Sequence, residues 1–237
     1  MISVVIGAVL VGLFAALVAF IVRQSAVEEV SGDGQLDLVV AADNGGIPVG
    51  STGVVGVETD EGRVRLDVYF DFMCPYCGLF EQTQGATLEE LRADGTLDVY
   101  YHPLGYLDGY SQGTDFSTRA ASASALVAQE APEAFLAFVE AMFVNQPEEN
   151  TTGLTDVEIQ SIASAVGVAD EVVARIPDHE FTSWVRSATE RASQDGLAFT
   201  PQLALEGVFV NPQVNADDLN WAQDGALKQA ILDAAAA

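Results

Sequence analysis

Residues 64–81 read VRLDVYFDFMCPYCGLFE and contain both cysteines of the chain, Cys74 and Cys77. The apolar run from Val64 to Phe72 predicts a buried strand, and the pattern from Gly78 to Ala93 predicts a helix. A strand that leads through C-x-x-C into a helix places the first sulfur at the helix N-terminus. Unpaired backbone N–H groups and the positive end of the helix dipole stabilise a thiolate there. The motif is therefore interpreted as a redox centre.

Two other uses of a C-x-x-C pair fit the sequence less well. A zinc site needs two further ligands, and the only histidines, His102 and His179, do not form a spaced pair. A purely structural disulfide would close a very small loop and gain little entropy from the unfolded state. The sequence favours a catalytic dithiol, with Cys74 as the attacking thiol and Cys77 as the resolving thiol. Pro75 suits the first helical turn, where its missing N–H costs nothing.

The remaining pattern predicts how the strands and helices are ordered along the chain. A second strand covers Thr96 to His102, and a long helical block extends from Phe116 to Gly196. A late strand is predicted from Leu203 to Val210, with a turn at Asn211-Pro212, and a last helix from Ala216 to Ala235. This order implies an α/β sandwich into which a helical subdomain has been inserted.

The stretch from Asp71 to Glu81 resembles the active-site segment of DsbA-like proteins of the thioredoxin superfamily. Members of that family carry a helical insertion within a thioredoxin fold, which agrees with the block at about 115–196. They also place a residue and a cis-proline before a late strand, a position that Thr200-Pro201 matches; on the sequence alone Pro201 could equally be an ordinary trans loop proline. The resemblance covers Val64 to the C-terminus. It implies a thioredoxin-like α/β fold and protein disulfide oxidoreductase activity, with no cofactor beyond the redox-active Cys74–Cys77 disulfide.

The resemblance also implies roles for residues around the cysteines. The backbone before Pro201, at Thr200, would pair with a bound peptide beside the reactive sulfur. Glu81 matches an acidic position that could tune proton transfer to the buried thiol, although a plain surface glutamate is the alternative. Val68 stands where many relatives have a buried acid. The Pro75-Tyr76 dipeptide is the one that glutaredoxins use, so the redox direction stays open.

The N-terminal segment from Ile2 to Val22 contains no charged residue. About twenty residues at about 1.5 Å each span the roughly 30 Å hydrocarbon core of a bilayer. A cleaved signal peptide would need a basic n-region and a shorter apolar run, and a core helix would show polar positions at helical spacing. The sequence therefore predicts a transmembrane anchor over residues 1–23, a flexible acidic linker over 24–46 and a DsbA-like domain over 47–237.

The formal net charge of −26 limits the partners that the chain can bind. Nucleic acid is excluded because phosphate binding needs clustered cations. The acidity itself fits either an ordinary solvated surface or adaptation to high salt. A dithiol enzyme with no other cysteine to misoxidise suits an oxidising compartment, which places the domain outside the cytoplasm at the cell membrane. Arg23, on the C-terminal side of the anchor, argues for the opposite orientation.

The expected function is that of an extracytoplasmic, membrane-tethered thiol–disulfide oxidoreductase that introduces disulfides into exported proteins with cysteines. A membrane redox partner would reset the dithiol after each turnover. Two alternatives remain: a disulfide reductase or isomerase, and a non-catalytic module that binds peptides near Pro201.

Overall fold

The centre of the fold is a five-stranded mixed sheet, seen in a computed structural model that describes residues 38, 40–56, 62–210 and 219–236. Strands β2 and β3 pair in parallel, and the other neighbouring strands pair antiparallel, in the spatial order β1-β3-β2-β4-β5. Parallel strands need a crossover connection, and here a helix supplies it. The strands are β1 (Ile47–Val49), β2 (Val64–Phe70), β3 (Leu97–Pro103), β4 (Gln202–Leu205) and β5 (Val208–Val210).

The helices fall into one crossover, one insertion and one C-terminal element. Helix α1 (Pro75–Ala93) connects β2 to β3, and helix α7 (Ala226–Ala235) follows the sheet. Five helices lie between β3 and β4 in sequence, where the helical insertion was predicted. They are α2 (Phe116–Glu130), α3 (Phe135–Val144), α4 (Asp156–Ala165), α5 (Asp170–Val173) and α6 (Thr182–Gln194). The architecture is a thioredoxin-like α/β fold with a helical insertion, as predicted.

The burial of the central strands fixes the position of the cysteines. All seven residues of β3 are buried, as expected for a strand covered on both faces. The buried side of α1 carries Cys77, Phe80, Leu88 and Leu91. Because α1 begins directly after β2, both cysteines lie at the carboxyl end of a central strand.

Two predicted elements near the C-terminus differ from the structure. The single strand predicted over 203–210 is wrong, because Glu206 and Gly207 form a two-residue turn between β4 and β5 with φ angles of 51° and 77°. Positive φ at both positions is what a type I′ hairpin turn requires. The predicted helix over 216–235 begins only at residue 226, after Gly225 with φ of 70°. The turn at 211–212 lies outside the described residues.

The N-terminal boundary of the domain also needs correction. Leu38 is buried in the core, and the Asn44 amide donates a hydrogen bond of 2.9 Å to Asp67 on β2. Residues 38 and 40–46 therefore belong to the folded domain, and the predicted linker does not extend to residue 46. The predicted anchor over 1–23 lies outside the described residues. Within the described part of the chain, no helix is both long enough and apolar enough to cross a membrane.

Candidate active site

Cys74 is the N-cap residue of α1, and Cys77 lies one turn into the helix. Cys74 has extended backbone angles, and Pro75 occupies the first turn, as the sequence predicts. The N–H of Cys77 donates to the Cys74 carbonyl oxygen at 2.9 Å. Both cysteines are free thiols in the structure. The helix therefore places the two sulfurs in different environments although only two residues separate them.

Those environments move the pKa values of the two thiols in opposite directions. The pKa of Cys74 is lowered to about 6, although burial of the thiol opposes this shift. The groups responsible are hydrogen bonds from the side chains of Cys77 and Thr200 and from the backbone of Cys77 and Tyr76. Burial raises the pKa of Cys77 well above its ordinary value, and the neighbouring Cys74 adds to that shift. At neutral pH Cys74 is a thiolate and Cys77 a thiol, which is the division of roles that the motif predicts.

Cys74 is buried although it lies at the start of the helix. Cys74 is only 4% exposed, against 1% for Cys77. The Cys74 sulfur lies 3.1 Å from the Thr200 carbonyl oxygen, to which the protonated thiol would donate, so the 198–201 segment covers it. The exposed part of the motif is the intervening dipeptide, because Tyr76 is 65% exposed.

The Thr200-Pro201 segment lies beside the cysteines because β4 pairs with β2. Gln202, the first residue of β4, is opposite Tyr69 near the end of β2. The peptide bond between Thr200 and Pro201 is cis, in agreement with the family resemblance. Both residues are buried. The structure thus brings together two parts of the chain that are far apart in sequence.

Glu81 is half-buried and lines a small cavity together with Cys77. A cavity of about 10 Å³ is lined by Cys77 and Glu81, and Val68 is also in its wall. Burial raises the pKa of Glu81 to about 7, and the carboxylate of Glu140 on α3 adds to the shift. The apolar Val68 confirms that the strand position where relatives carry an acid has none. Glu81 is therefore the acidic group that shares a cavity with the buried thiol.

Asp71 is a second buried acid that the sequence did not single out. It is 0% exposed, and its backbone N–H lies 3.5 Å from the Cys77 sulfur. Its carboxylate accepts hydrogen bonds of 2.8 Å from the N–H groups of Met73 and Leu107. Desolvation raises the pKa of Asp71 to about 7, and these N–H donors oppose the shift. The available signal was a carboxylate inside an apolar run just before the helix, which suits a turn equally well.

Gln146, after α3, also contacts the motif and was not predicted. Its amide donates to the carbonyl oxygens of Phe72 at 3.0 Å and Cys74 at 2.7 Å. The helical insertion therefore fixes the backbone of the redox motif through these two hydrogen bonds. No local pattern marks such a residue, because its role depends on how the insertion packs against α1.

Both histidines have partners of their own. His102 is buried and lies 2.8 Å from Asp67, and its ring stacks on Tyr69 at a centroid distance of 4.0 Å. His179 lies 3.1 Å from Asp156. Each histidine is thus part of an ion-pair or stacking arrangement away from the two sulfurs.

Comparison with known proteins agrees with this geometry. The family model described as thioredoxin matches residues 54–224, and the chain belongs to that family. The structure of DsbA from Mycobacterium tuberculosis in its oxidised form is similar, with a TM-score of 0.65 and 26% identity, over 81% of this chain and 93% of that one. The reduced disulfide bond oxidoreductase DsbG of the same organism gives 0.61 and 25%, over 84% and 98%.

A curated relative extends the likeness to a larger protein. The serine/threonine-protein kinase PknE of Mycobacterium tuberculosis is 31% identical over 175 residues, which cover 70% of this chain. The chain spans only 30% of the length of that kinase. Family, fold and dithiol together identify the chain as a member of the thioredoxin family with a DsbA-like fold.

Proposed function

We propose that the protein is a membrane-tethered, extracytoplasmic oxidase that introduces disulfides into exported proteins. One observation carries the direction of the reaction: the hydrogen bonds that lower the pKa of Cys74 to about 6. They stabilise the reduced enzyme, which holds Cys74 as a thiolate, relative to the disulfide form. A dithiol whose reduced form is stabilised makes its disulfide a stronger oxidant.

The reaction moves two electrons from a client dithiol to the enzyme disulfide. A client thiolate attacks the Cys74 sulfur, the Cys74–Cys77 bond breaks, and Cys77 leaves as a thiolate. Because the pKa of Cys77 is raised, that thiolate takes up a proton, and Glu81 with its pKa of about 7 is the donor across the shared cavity. A second client thiolate then attacks the client sulfur, the client disulfide forms, and Cys74 leaves as a thiolate.

The segment before Pro201 is the proposed position of the client backbone. Thr200 lies against the Cys74 sulfur, and the exposed Tyr76 forms the other side of the approach. An extended client peptide along residues 198–201 would bring its cysteine to Cys74 without moving β4. Pro75 and Tyr76 then meet the client first, since they are the exposed part of the motif.

The proposed location, at the membrane and outside the cytoplasm, rests on the sequence alone. The uncharged stretch from Ile2 to Val22 is long enough for an uncleaved anchor. The two cysteines of the redox pair are the only ones in the chain, which suits an oxidising compartment. A membrane redox partner that accepts two electrons from the reduced dithiol would restore the enzyme disulfide after each turnover.

Equilibration with glutathione tests the direction. A reduction potential near that of DsbA, about −120 mV, supports the oxidase, whereas a value near that of thioredoxin, about −270 mV, assigns the chain to the reductases. Cys77→Ala tests catalysis against mere peptide binding. This variant should accumulate client adducts through Cys74, and Cys74→Ala should form none. A Cys77→Ala protein free of adducts would favour the binding module.

Labelling in intact cells tests the location. A membrane-impermeant maleimide should modify Cys74 after mild reduction, to the same extent as in permeabilised cells. Labelling that requires permeabilisation would place the domain in the cytoplasm, on the side that Arg23 indicates.

A further inference from the structure

Asp71 connects the redox motif to a distant loop. One carboxylate oxygen accepts the N–H of Met73, and the other accepts the N–H of Leu107, each at 2.8 Å. The first contact spans two residues and is the hydrogen bond of an ordinary Asx turn. The second joins residues that are 36 positions apart and has no part in that turn. The carboxylate therefore does more than shape the local backbone.

The loop that Asp71 holds reaches the segment before the cis-proline. Tyr106 directly precedes Leu107, and its hydroxyl donates a hydrogen bond of 3.0 Å to the Ala198 carbonyl oxygen. Ala198 lies two residues before Thr200. A further bond of 2.9 Å ties the N–H of Leu104 to Phe70, so the beginning of the loop is fixed to the end of β2.

These contacts form a closed circuit around the reactive sulfur. We propose that Asp71 is a positioning residue that holds the Thr200 carbonyl and side chain against Cys74 by means of the 104–107 loop. Two hydrogen bonds, from Leu107 to Asp71 and from Tyr106 to Ala198, and the 3.1 Å contact between the Cys74 sulfur and the Thr200 carbonyl oxygen complete the circuit. The role follows from the geometry of the reduced enzyme, and it holds whichever direction the reaction takes in the cell.

The chemistry of the carboxylate explains why an acid stands at this position. Full burial of a carboxyl group costs free energy, and a turn alone can be made by a neutral side chain at a smaller cost. An ionised carboxylate accepts two N–H groups at once, one on each oxygen. Asparagine keeps one acceptor but points an NH₂ donor at the other N–H. Asp71→Asn should therefore lose one of the two N–H contacts, and Asp71→Ala should lose both.

The test compares two single variants with their combination. Tyr106→Phe removes only the hydroxyl that bonds Ala198, and Asp71→Ala removes both acceptors and so releases the loop. The readout is the apparent pKa of Cys74, taken from the pH dependence of its alkylation in the reduced protein. Tyr106→Phe should raise that pKa by about 0.5 to 1, because it loosens the Thr200 side chain, whose hydrogen bond lowers the pKa of Cys74. In the Asp71→Ala background the same change should have no further effect, because the loop is already released.

Matched controls come from the same part of the chain. Tyr110→Phe removes the hydroxyl of a tyrosine that is 48% exposed and lies four residues further on. Asp108→Asn alters a carboxylate that accepts from Thr118 at 2.9 and 2.6 Å instead of from the motif. Both should leave the pKa of Cys74 unchanged, and Asp108→Asn should lower only the stability.

Two results would overturn the proposal. The first is an unchanged pKa of Cys74 in Tyr106→Phe, a variant at a partly exposed position that leaves the core intact. The second is an equal Tyr106→Phe shift in both backgrounds, which would show that Asp71 and Tyr106 act independently. If Asp71→Ala does not fold, the Tyr106→Phe result decides alone, because that variant leaves the core intact.

Discussion

The Cys74 thiol lies 3.1 Å from the Thr200 carbonyl oxygen, 126 residues later in the chain. Neither residue is positioned by its own neighbours alone. Cys74 is held by the start of α1, and Thr200 is held by the pairing of β4 with β2. The reactive thiolate is therefore assembled only when the first and last parts of the domain have come together.

Substitution of Thr200 by valine tests this assembly. The Thr200 side chain is among the groups that lower the pKa of Cys74 to about 6. Because a hydrogen bond to a charged group contributes about 1.5 kcal/mol or more, Thr200→Val should raise that pKa by about 1. Thiolate absorbance as a function of pH measures the change. Thr200→Ser keeps the hydroxyl and should retain the low value, and equal pKa values in all three proteins would refute this role.

The redox motif and the fold were predictable from the sequence because both depend on short segments. A strand of alternating apolar residues, a proline at the first helical turn and two cysteines one turn apart define the environment of Cys74 locally. The insertion was predictable from the length of the helical block. The cis bond before Pro201 followed from the family resemblance, since a proline alone does not specify its isomer.

The parts that escaped prediction depend on contacts between distant segments. The sequence around Asp71 indicates only a turn residue, and its hydrogen bond with Leu107 of the 104–107 loop is visible only in the structure. Gln146 contacts Cys74 only because the insertion packs over the start of α1. The burial of Cys74 follows from the approach of Thr200, which no pattern near the cysteines encodes. Sequence reasoning therefore identified the reacting atoms but not the groups that position them.

The reduction potential should depend on pH with a change of slope near pH 6. Between the lowered pKa of Cys74 and the raised pKa of Cys77, two-electron reduction takes up one proton, because only Cys77 is protonated. The potential should then fall by about 30 mV per pH unit, against about 59 mV below pH 6, where both thiols take up protons. Glutathione equilibria from pH 5 to 8 provide the measurement.

Thr200→Val provides an internal check on the pH dependence of the reduction potential. Thr200→Val should move the change of slope to a higher pH together with the pKa of Cys74. A wild-type slope of about 59 mV per pH unit throughout the range would mean that Cys74 is protonated at neutral pH, contrary to the geometry.

Glu81 should control the rate at which Cys77 closes or opens the disulfide. In a mixed disulfide between Cys74 and glutathione, attack by Cys77 requires loss of its proton. Glu81→Gln removes the acceptor and should slow glutathione release by about 100-fold at neutral pH. The pH profile should also lose its inflection near 7, the pKa of Glu81. Stopped-flow release of the bound glutathione provides the rates.

Glu140→Gln is the matched control for this prediction. Removing the neighbouring carboxylate should lower the pKa of Glu81 and move the inflection to lower pH without reducing the maximal rate.

The pH dependence of the free energy of unfolding gives a second readout for Glu81→Gln. The pKa of Glu81 is raised on folding, so its contribution to stability is lost as pH rises from about 4.5 to about 7, and Glu81→Gln should show a smaller loss of stability over that range than wild type. An unchanged release rate in Glu81→Gln would exclude this carboxyl from proton transfer.

The Asp67 cluster should affect stability but not redox chemistry. Asp67 is 1% exposed, and it accepts from Arg65 at 2.7 Å and lies 2.8 Å from His102. Asp67→Asn should lower the free energy of unfolding by about 3 kcal/mol, the cost of breaking a buried charge pair, since Asn cannot satisfy both Arg65 contacts. The pKa of Cys74 should not change, because the cluster does not contact the motif.

The pH dependence of unfolding separates this cluster from the active site. Burial would raise the pKa of Asp67, but the hydrogen bonds of Asp67 with His102 and Arg65 together outweigh it and lower this pKa to about 2. The ionised Asp67 therefore stabilises the protein above about pH 4, and this contribution is lost as pH falls towards 2. Burial lowers the pKa of His102 as well, so stability also decreases as pH falls below about 6.5. Denaturant titrations from pH 7 to pH 2 should show a steeper acid loss below about pH 4 for wild type than for Asp67→Asn, because only wild type loses the ionised Asp67 there. Parallel curves would assign the acid sensitivity to other groups, and a shifted Cys74 pKa in Asp67→Asn would show that the sheet interior is coupled to the redox site.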